Sequence, residues 1–181
     1  MTLWEYFAKM KGGAKSPPAV AWTEVLWSWV GACIGIGLCG YLSSRYCEPK
    51  DLTLIIGSFG ASAVLVYAAI KSPLAQPRNL VGGHVLSAIA GVASYQLFGE
   101  TLWIAAALSV SFAIVVMLLT KTLHPPGGAT ALIAVVGGKK IHDLGFLYVL
   151  LPAGAGALIL LTVALLVNNL SANRRYPEYW R

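Results

Sequence analysis

The charges of this 181-residue chain fall outside five long windows, and that spacing limits the folds open to it. No Asp, Glu, Lys or Arg lies between Val25 and Ser44, Leu52 and Ile70, Asn79 and Gly99, Thr101 and Thr120, or Leu144 and Asn173. Each window runs about 20 residues or more, and an α-helix needs about 20 apolar residues to cross about 30 Å of hydrocarbon. The windows are apolar all round, whereas the helices of a soluble bundle keep a polar face. Alternating segments of about 10 residues, the mark of a membrane barrel, are absent. Composition agrees, with 57% of residues hydrophobic and 11% charged, against about 25% charged in a soluble domain. The sequence predicts an all-α transmembrane protein in contact with the lipid bilayer.

Residues 1–21 read as a cytoplasmic segment. Lys9, Lys11 and Lys15 precede Ser16-Pro17-Pro18, and the stretch lacks the apolar core of a cleavable signal peptide. Trp4, Tyr6 and Phe7 suit a short interfacial helix. Residues 22–173 form the transmembrane domain, and 174–181 a cytoplasmic tail. With six crossings, Lys9, Lys11, Lys15, Lys71, Arg78, Lys121, Arg174, Arg175 and Arg181 share one side, against Arg45, Lys50, Lys139 and Lys140 on the other. That split is 9 to 4; a re-entrant segment at Pro125–Gly138 would make it 8 to 5. The positive-inside bias favours both termini in the cytoplasm, at the inner membrane of a bacterium. The net charge of +6 thus reports orientation and no nucleic-acid partner. Cys33, Cys39 and Cys47 form no CxxC pair, so neither a metal nor a cofactor is expected.

Two stretches match in residue type: Gly60-Ala61-Ser62-Ala63-Val64-Leu65 and Gly128-Ala129-Thr130-Ala131-Leu132-Ile133. Each follows one span and precedes another. The chain reads as about five long spans plus one short half-helix. They form two inverted three-segment repeats, about 22–98 and 101–170, with discontinuous middle helices. Inverted repeats with broken helices are a recurring transporter plan, with the substrate site near the midplane. Pro125-Pro126-Gly127-Gly128 breaks the second middle segment, so its helix is expected to start near Gly128; Gly57-Ser58-Phe59-Gly60 does the same in the first, with a start near Gly60. Two helix N-termini meeting at the midplane would present unpaired N–H groups to a small anion. Ser58, Ser62 and Thr130 add hydroxyls, either as further donors or as local caps.

The stretch His124-Pro125-Pro126-Gly127-Gly128-Ala129-Thr130-Ala131-Leu132 resembles the HPP family. Three further stretches are similar to its patterns: Ser58-Phe59-Gly60-Ala61-Ser62-Ala63; Ser72 to Asn79 with Gly82-Gly83-His84; and Asn168-Asn169-Leu170 with Tyr176-Pro177-Glu178-Tyr179-Trp180. The likeness runs from about Trp22 to Trp180. It implies transport, and nitrite as the substrate of cyanobacterial and chloroplast members; some relatives add C-terminal CBS domains, which this chain is too short to contain. The residues themselves argue only for a small anion.

The candidate binding residues are therefore Ser58, Gly60, Ser62, Arg78, Asn79, His84, His124, Gly127, Gly128 and Thr130. Arg78 either guides an anion or anchors the helix at the interface. Asn79 is expected to cap the following helix. His84, the one group of its window that titrates near neutral pH, is either a proton acceptor or a neutral partner of a carbonyl. His124 either serves the site or ties down the broken backbone beside it. Gly31 with Gly35, and Ser87 with Gly91, suit close helix packing within one chain or in a homo-oligomer. An intramembrane enzyme would need an oriented base or a metal, and no acid lies in any window. A subunit that transports nothing, or a conduit for a neutral molecule, is the competing function. A polar cavity reaching Gly60 and Gly128 would favour transport, and a dry, closed centre a scaffold.

Overall fold

The structure is a computed structural model that describes residues 2–180. Among the described residues it is all-helical. Helix α1 (Leu3–Ala8) opens on a capping box between Thr2 and Glu5 and is exposed throughout, which suits an interfacial segment. The long helices are α2 (Trp22–Leu42), α4 (Pro77–Phe98) and α5 (Leu102–Leu119). Turns of π and 3-10 type carry α2 on to Lys50. Helix α8 (Ala155–Asn168) is preceded by a π-type turn, Val149–Gly154, kinked at Leu151 ahead of Pro152. The short helices are α3 (Ser58–Ala63), prolonged by a π turn to Ala68, α6 (Pro125–Val136) and α7 (Lys139–His142).

Four helices are long and apolar enough to cross a membrane, and Ser58–Ala68 and Pro125–Val136 are the shorter apolar ones. The expectation of five long spans and one short is corrected on this point. The window from Leu52 to Ile70 is not one helix, because residues 52–56 form no regular secondary structure and lead through a turn at Gly57 into α3. β-Branched Thr53, Ile55 and Ile56 beside Gly57 disfavour a helix there. The 12 residues of α6 span about 18 Å, little more than half of the hydrocarbon thickness.

Ties at both ends fix the order of the chain. Arg174 pairs with Glu24, and Arg78 donates to the Thr120 carbonyl, so the starts of α2 and α4 lie with the ends of α5 and α8. Lys140 pairs with Asp51 at the other end. Helix α4 is central, packed on α5, α6 and α8. A Cβ at Gly91 would lie 2.5 Å from the Ala131 carbonyl oxygen, so glycine sets the close approach of α4 and α6. Gly31 and Gly35 admit the Tyr67 ring, whose hydroxyl donates to the Leu160 carbonyl at 3.1 Å. Both small-residue pairs therefore work inside one chain.

The helix starts also differ from expectation. Helix α3 begins at Ser58 rather than Gly60, and α6 at Pro125 rather than Gly128. Proline is tolerated in a first helical turn, where its N–H would be unpaired anyway and its fixed φ is already helical. Pro125-Pro126-Gly127-Gly128 is therefore the first turn of α6, not a spacer before it.

Candidate functional site

Helices α3 and α6 run antiparallel, with their N-terminal halves side by side, and the pairing is visible in their hydrogen bonds. The Thr130 hydroxyl donates to Ser58 Oγ at 2.8 Å, and the Ser62 hydroxyl lies 2.9 Å from His124 Nε2. Each middle helix also carries the same local bond. Ser62 donates to the Ser58 carbonyl, and Thr130 to the Pro126 carbonyl, both over 3.3 Å and one turn back.

His84 of α4 sits between the two hydroxyls. Its Nε2 is 2.7 Å from Ser62 Oγ and its Nδ1 is 2.7 Å from Thr130 Oγ1. His124 Nδ1 in turn lies 2.8 Å from the Leu74 carbonyl oxygen. Rings complete the packing: Phe59 meets His84 edge-on at 5.2 Å between centroids, and His84 meets His124 at 5.1 Å. Ser62, His84, His124 and Thr130 are fully buried and Ser58 nearly so. The result is a closed, uncharged cluster that joins both short helices to the central span. Gly83 allows it, since a Cβ there would lie 2.5 Å from His124 Cβ.

Of the residues expected at a site, Ser58, Ser62, His84, His124 and Thr130 come together. The others do not. Gly60 is exposed with open space around its Cα. Gly128 is half-buried, and the nearest atom to a Cβ added there would be Val110 Cγ1 at 3.8 Å. Gly127 packs instead against Ser87 and the Gly83 carbonyl, 2.7 and 2.8 Å from where its Cβ would be. Asn79 does not cap α4, which starts two residues earlier at Pro77; its amide donates to the Leu123 carbonyl at 2.9 Å. Arg78 is exposed and holds the Thr120 carbonyl at the end of α5.

At the two helix N-termini fewer backbone donors are free than the sequence suggested. Pro125 and Pro126 have no N–H, and the Gly127 N–H donates to the His124 carbonyl at 2.8 Å. In α3, Phe59 and Gly60 donate to Ile56 and Gly57 at 3.0 and 3.2 Å. The prolines that mark the start of α6 remove the donors an anion would need. Space agrees with this. The groove beside Gly128, about 530 Å³, is lined by apolar residues such as Val110, Ile114, Met117 and Leu132. A polar recess of about 320 Å³ between Glu24, Lys71, Ser72 and Arg174 lies at the end of the bundle, apart from the cluster.

The sequence reading missed two groups. Tyr148 donates to the Thr130 carbonyl at 2.9 Å and steadies α6 from behind. Arg174, assigned to a tail, is buried: it reaches Glu24, Asn168, Ser28 and the Tyr67 carbonyl over 2.9–3.0 Å. Tyr176 is buried beside it and donates to the Ala75 carbonyl at 2.7 Å, and burial pushes its phenol well above the usual tyrosine range. A basic residue next to an apolar window was the available signal for Arg174, but charge counting alone reads such a residue as a loop cation.

The chain matches the HPP transmembrane-region family over residues 17–177. It belongs to the HPP family. Two transmembrane proteins of Dictyostelium discoideum are similar to this HPP protein. One is 47% identical over 97% of the chain and 57% of its own length, the other 42% identical over 99% and 65%. The chain thus spans about three-fifths of the length of these relatives. No solved structure matches it. With its family and its apolar helices, this HPP protein is a multi-pass integral membrane protein.

Proposed function

We propose that this HPP protein is a transporter for a small inorganic anion, with the hydroxyl–imidazole cluster as its polar centre. Nitrite is the first substrate to test, on family likeness alone. The single observation that carries the reading is a buried set of hydroxyls and imidazoles, free of carboxylates, where two short helices meet a full span. Short helices at membrane depth are tolerated where protein surrounds them, and they are common at transport sites. Hydroxyl and imidazole donors suit an anion, and no acid stands among them to repel it. The present conformation is then an occluded one.

The finer features belong to the same proposal. The two three-segment units are inverted repeats, supported by the matching one-turn bonds of Ser62 and Thr130. Both termini lie in the cytoplasm of a bacterial cell, the protein has no enzymatic activity, and it is able to form homo-oligomers. Uptake of nitrite, nitrate, formate and bicarbonate into proteoliposomes tests the reading; no uptake of any of the four, with folded protein present, would reject it.

A second reading, a scaffold subunit that moves no solute, is favoured by one observation. The cluster is closed on itself, and the groove nearest to it is apolar. In that case the same assay stays silent under every gradient.

A further inference from the structure

Among the described residues, one buried side-chain nitrogen or oxygen has no hydrogen-bond partner: the hydroxyl of Ser87 on α4. Ser87 is fully buried. An unpaired buried hydroxyl costs stability, and alanine would fill the same space without that cost. Serines in helices avoid the cost by donating to a carbonyl one turn back. Ser28, Ser62 and Ser111 do so here. The Ser87 hydroxyl leaves its own such acceptor, the Gly83 carbonyl, unused and faces α6 instead, 2.7 Å from where a Cβ on Gly127 would stand.

Its position extends the imidazole cluster. Helices α4 and α6 run parallel here, with Gly83 against His124, Ser87 against Gly127 and Gly91 against Ala131. Ser87 lies three residues past His84, on the face of α4 that meets α6. Past the contact of His84 with Thr130, no hydrogen bond joins the two helices among the described residues, so packing alone closes the seam between them. At its far end the seam meets a recess of about 60 Å³ lined by residues that include Val92, Tyr95, Gln96, Ala134 and His142.

We propose that Ser87 is a binding residue for the transported anion, its next donor as it moves from the cluster along the α4–α6 seam to that recess. The inference rests on the transport reading. Ser87 holds its proton unused while the seam is empty, and a hydroxyl bonds an anion more strongly than a neutral acceptor. Parting the helices at Ser87 and Gly91 breaks no hydrogen bond, and the anion supplies the partner that Ser87 lacks. The unpaired hydroxyl thus weakens the empty, closed seam and not the loaded one, which favours binding.

Uptake of nitrite, nitrate, formate and bicarbonate by wild-type and Ser87→Ala proteoliposomes tests this, with thermal unfolding of both proteins in nanodiscs. Ser87→Ala should unfold at the wild-type temperature or above it. Its initial uptake at low concentration of the transported ion should fall about tenfold or more, as for one lost hydrogen bond to a charged group. Ser109→Ala is the control: its hydroxyl, on α5, donates to the Ala106 carbonyl at 2.8 Å, and its uptake should match the wild type. Unchanged uptake in Ser87→Ala, or an equal fall in Ser109→Ala, overturns the inference and leaves the transport reading standing. So does a Ser87→Ala protein that unfolds earlier than wild type or fails to fold, because the hydroxyl is then a structural partner. A wild type that moves none of the four ions rejects the transport reading itself, and the role of Ser87 with it.

Discussion

Two buried polar networks hold this bundle, and they differ in whether their protons are free to move. At the end of the bundle, Arg174 grips Glu24, Asn168, Ser28 and the Tyr67 carbonyl. Guanidinium stays charged and donates through every N–H, so each bond has a single possible direction. At the centre, Ser58, Ser62, His84, His124 and Thr130 can each donate or accept. The charged knot fastens chain segments that are far apart in sequence. The neutral cluster keeps several proton arrangements open on a fixed frame. Burial alone therefore does not separate a fastening from a working site; reversibility of the donors does.

Breaking the charged knot should have the largest effect. Arg174→Met leaves Glu24 and the carbonyls without their donor, and removing one partner of a buried pair costs about 3–5 kcal/mol. Glu24 is about one-third exposed, so the low end, about 3 kcal/mol, is expected. Thermal unfolding in nanodiscs reads it, and a loss under about 1 kcal/mol would mean that water replaces the guanidinium.

The central cluster should respond less, and its response should depend on chemistry more than on size. Ser62→Ala removes the bridge between the two imidazoles and leaves the Nε2 of both buried rings without its partner, at about 1–3 kcal/mol. Thr130→Val keeps the shape but loses the bonds to His84 and Ser58, with a similar cost, whereas Thr130→Ser should cost less than about 1 kcal/mol. Denaturation midpoints compare them. Equal losses for Thr130→Val and Thr130→Ser would show that packing, not hydrogen bonding, sets this position.

Much of this was legible in the sequence, for physical reasons that also explain what was not. Charge-free windows pointed to the helical membrane class because burying a charge in lipid is costly whatever the fold. The Ser62 and Thr130 match picked out two hydroxyls that flank the same ring, one at each nitrogen of His84. The extent of helix was harder. Apolar content does not separate the non-helical 52–56 stretch from a helix, since both can lie in lipid or protein. The helix starts were missed because proline is a breaker in a helix interior and a starter in a first turn. Arg174 escaped because its partner, Glu24, is 150 positions away.

The smallest effect is expected at Gly128, and it sharpens the contrast between backbone and side-chain recognition. If an anion were held by bare N–H groups at the start of α6, Gly128→Val would crowd it and abolish uptake. The first two residues of α6 are prolines and the Gly127 N–H is bonded to His124, so three of the first N–H positions offer an anion nothing. Gly128 faces an apolar groove of about 530 Å³, and the nearest atom to an added Cβ, Val110 Cγ1, is 3.8 Å away. A valine side chain fits that space among Ile114, Met117 and Leu132. Gly128→Val should change stability by less than about 0.5 kcal/mol and leave nitrite uptake, where uptake occurs, at the wild-type rate. Gly127→Val, with Ser87 Oγ only 2.7 Å from the added Cβ, serves as the crowded control and should unfold at lower temperature. Loss of uptake in folded Gly128→Val protein would return recognition to the backbone of α6 and away from the imidazole cluster.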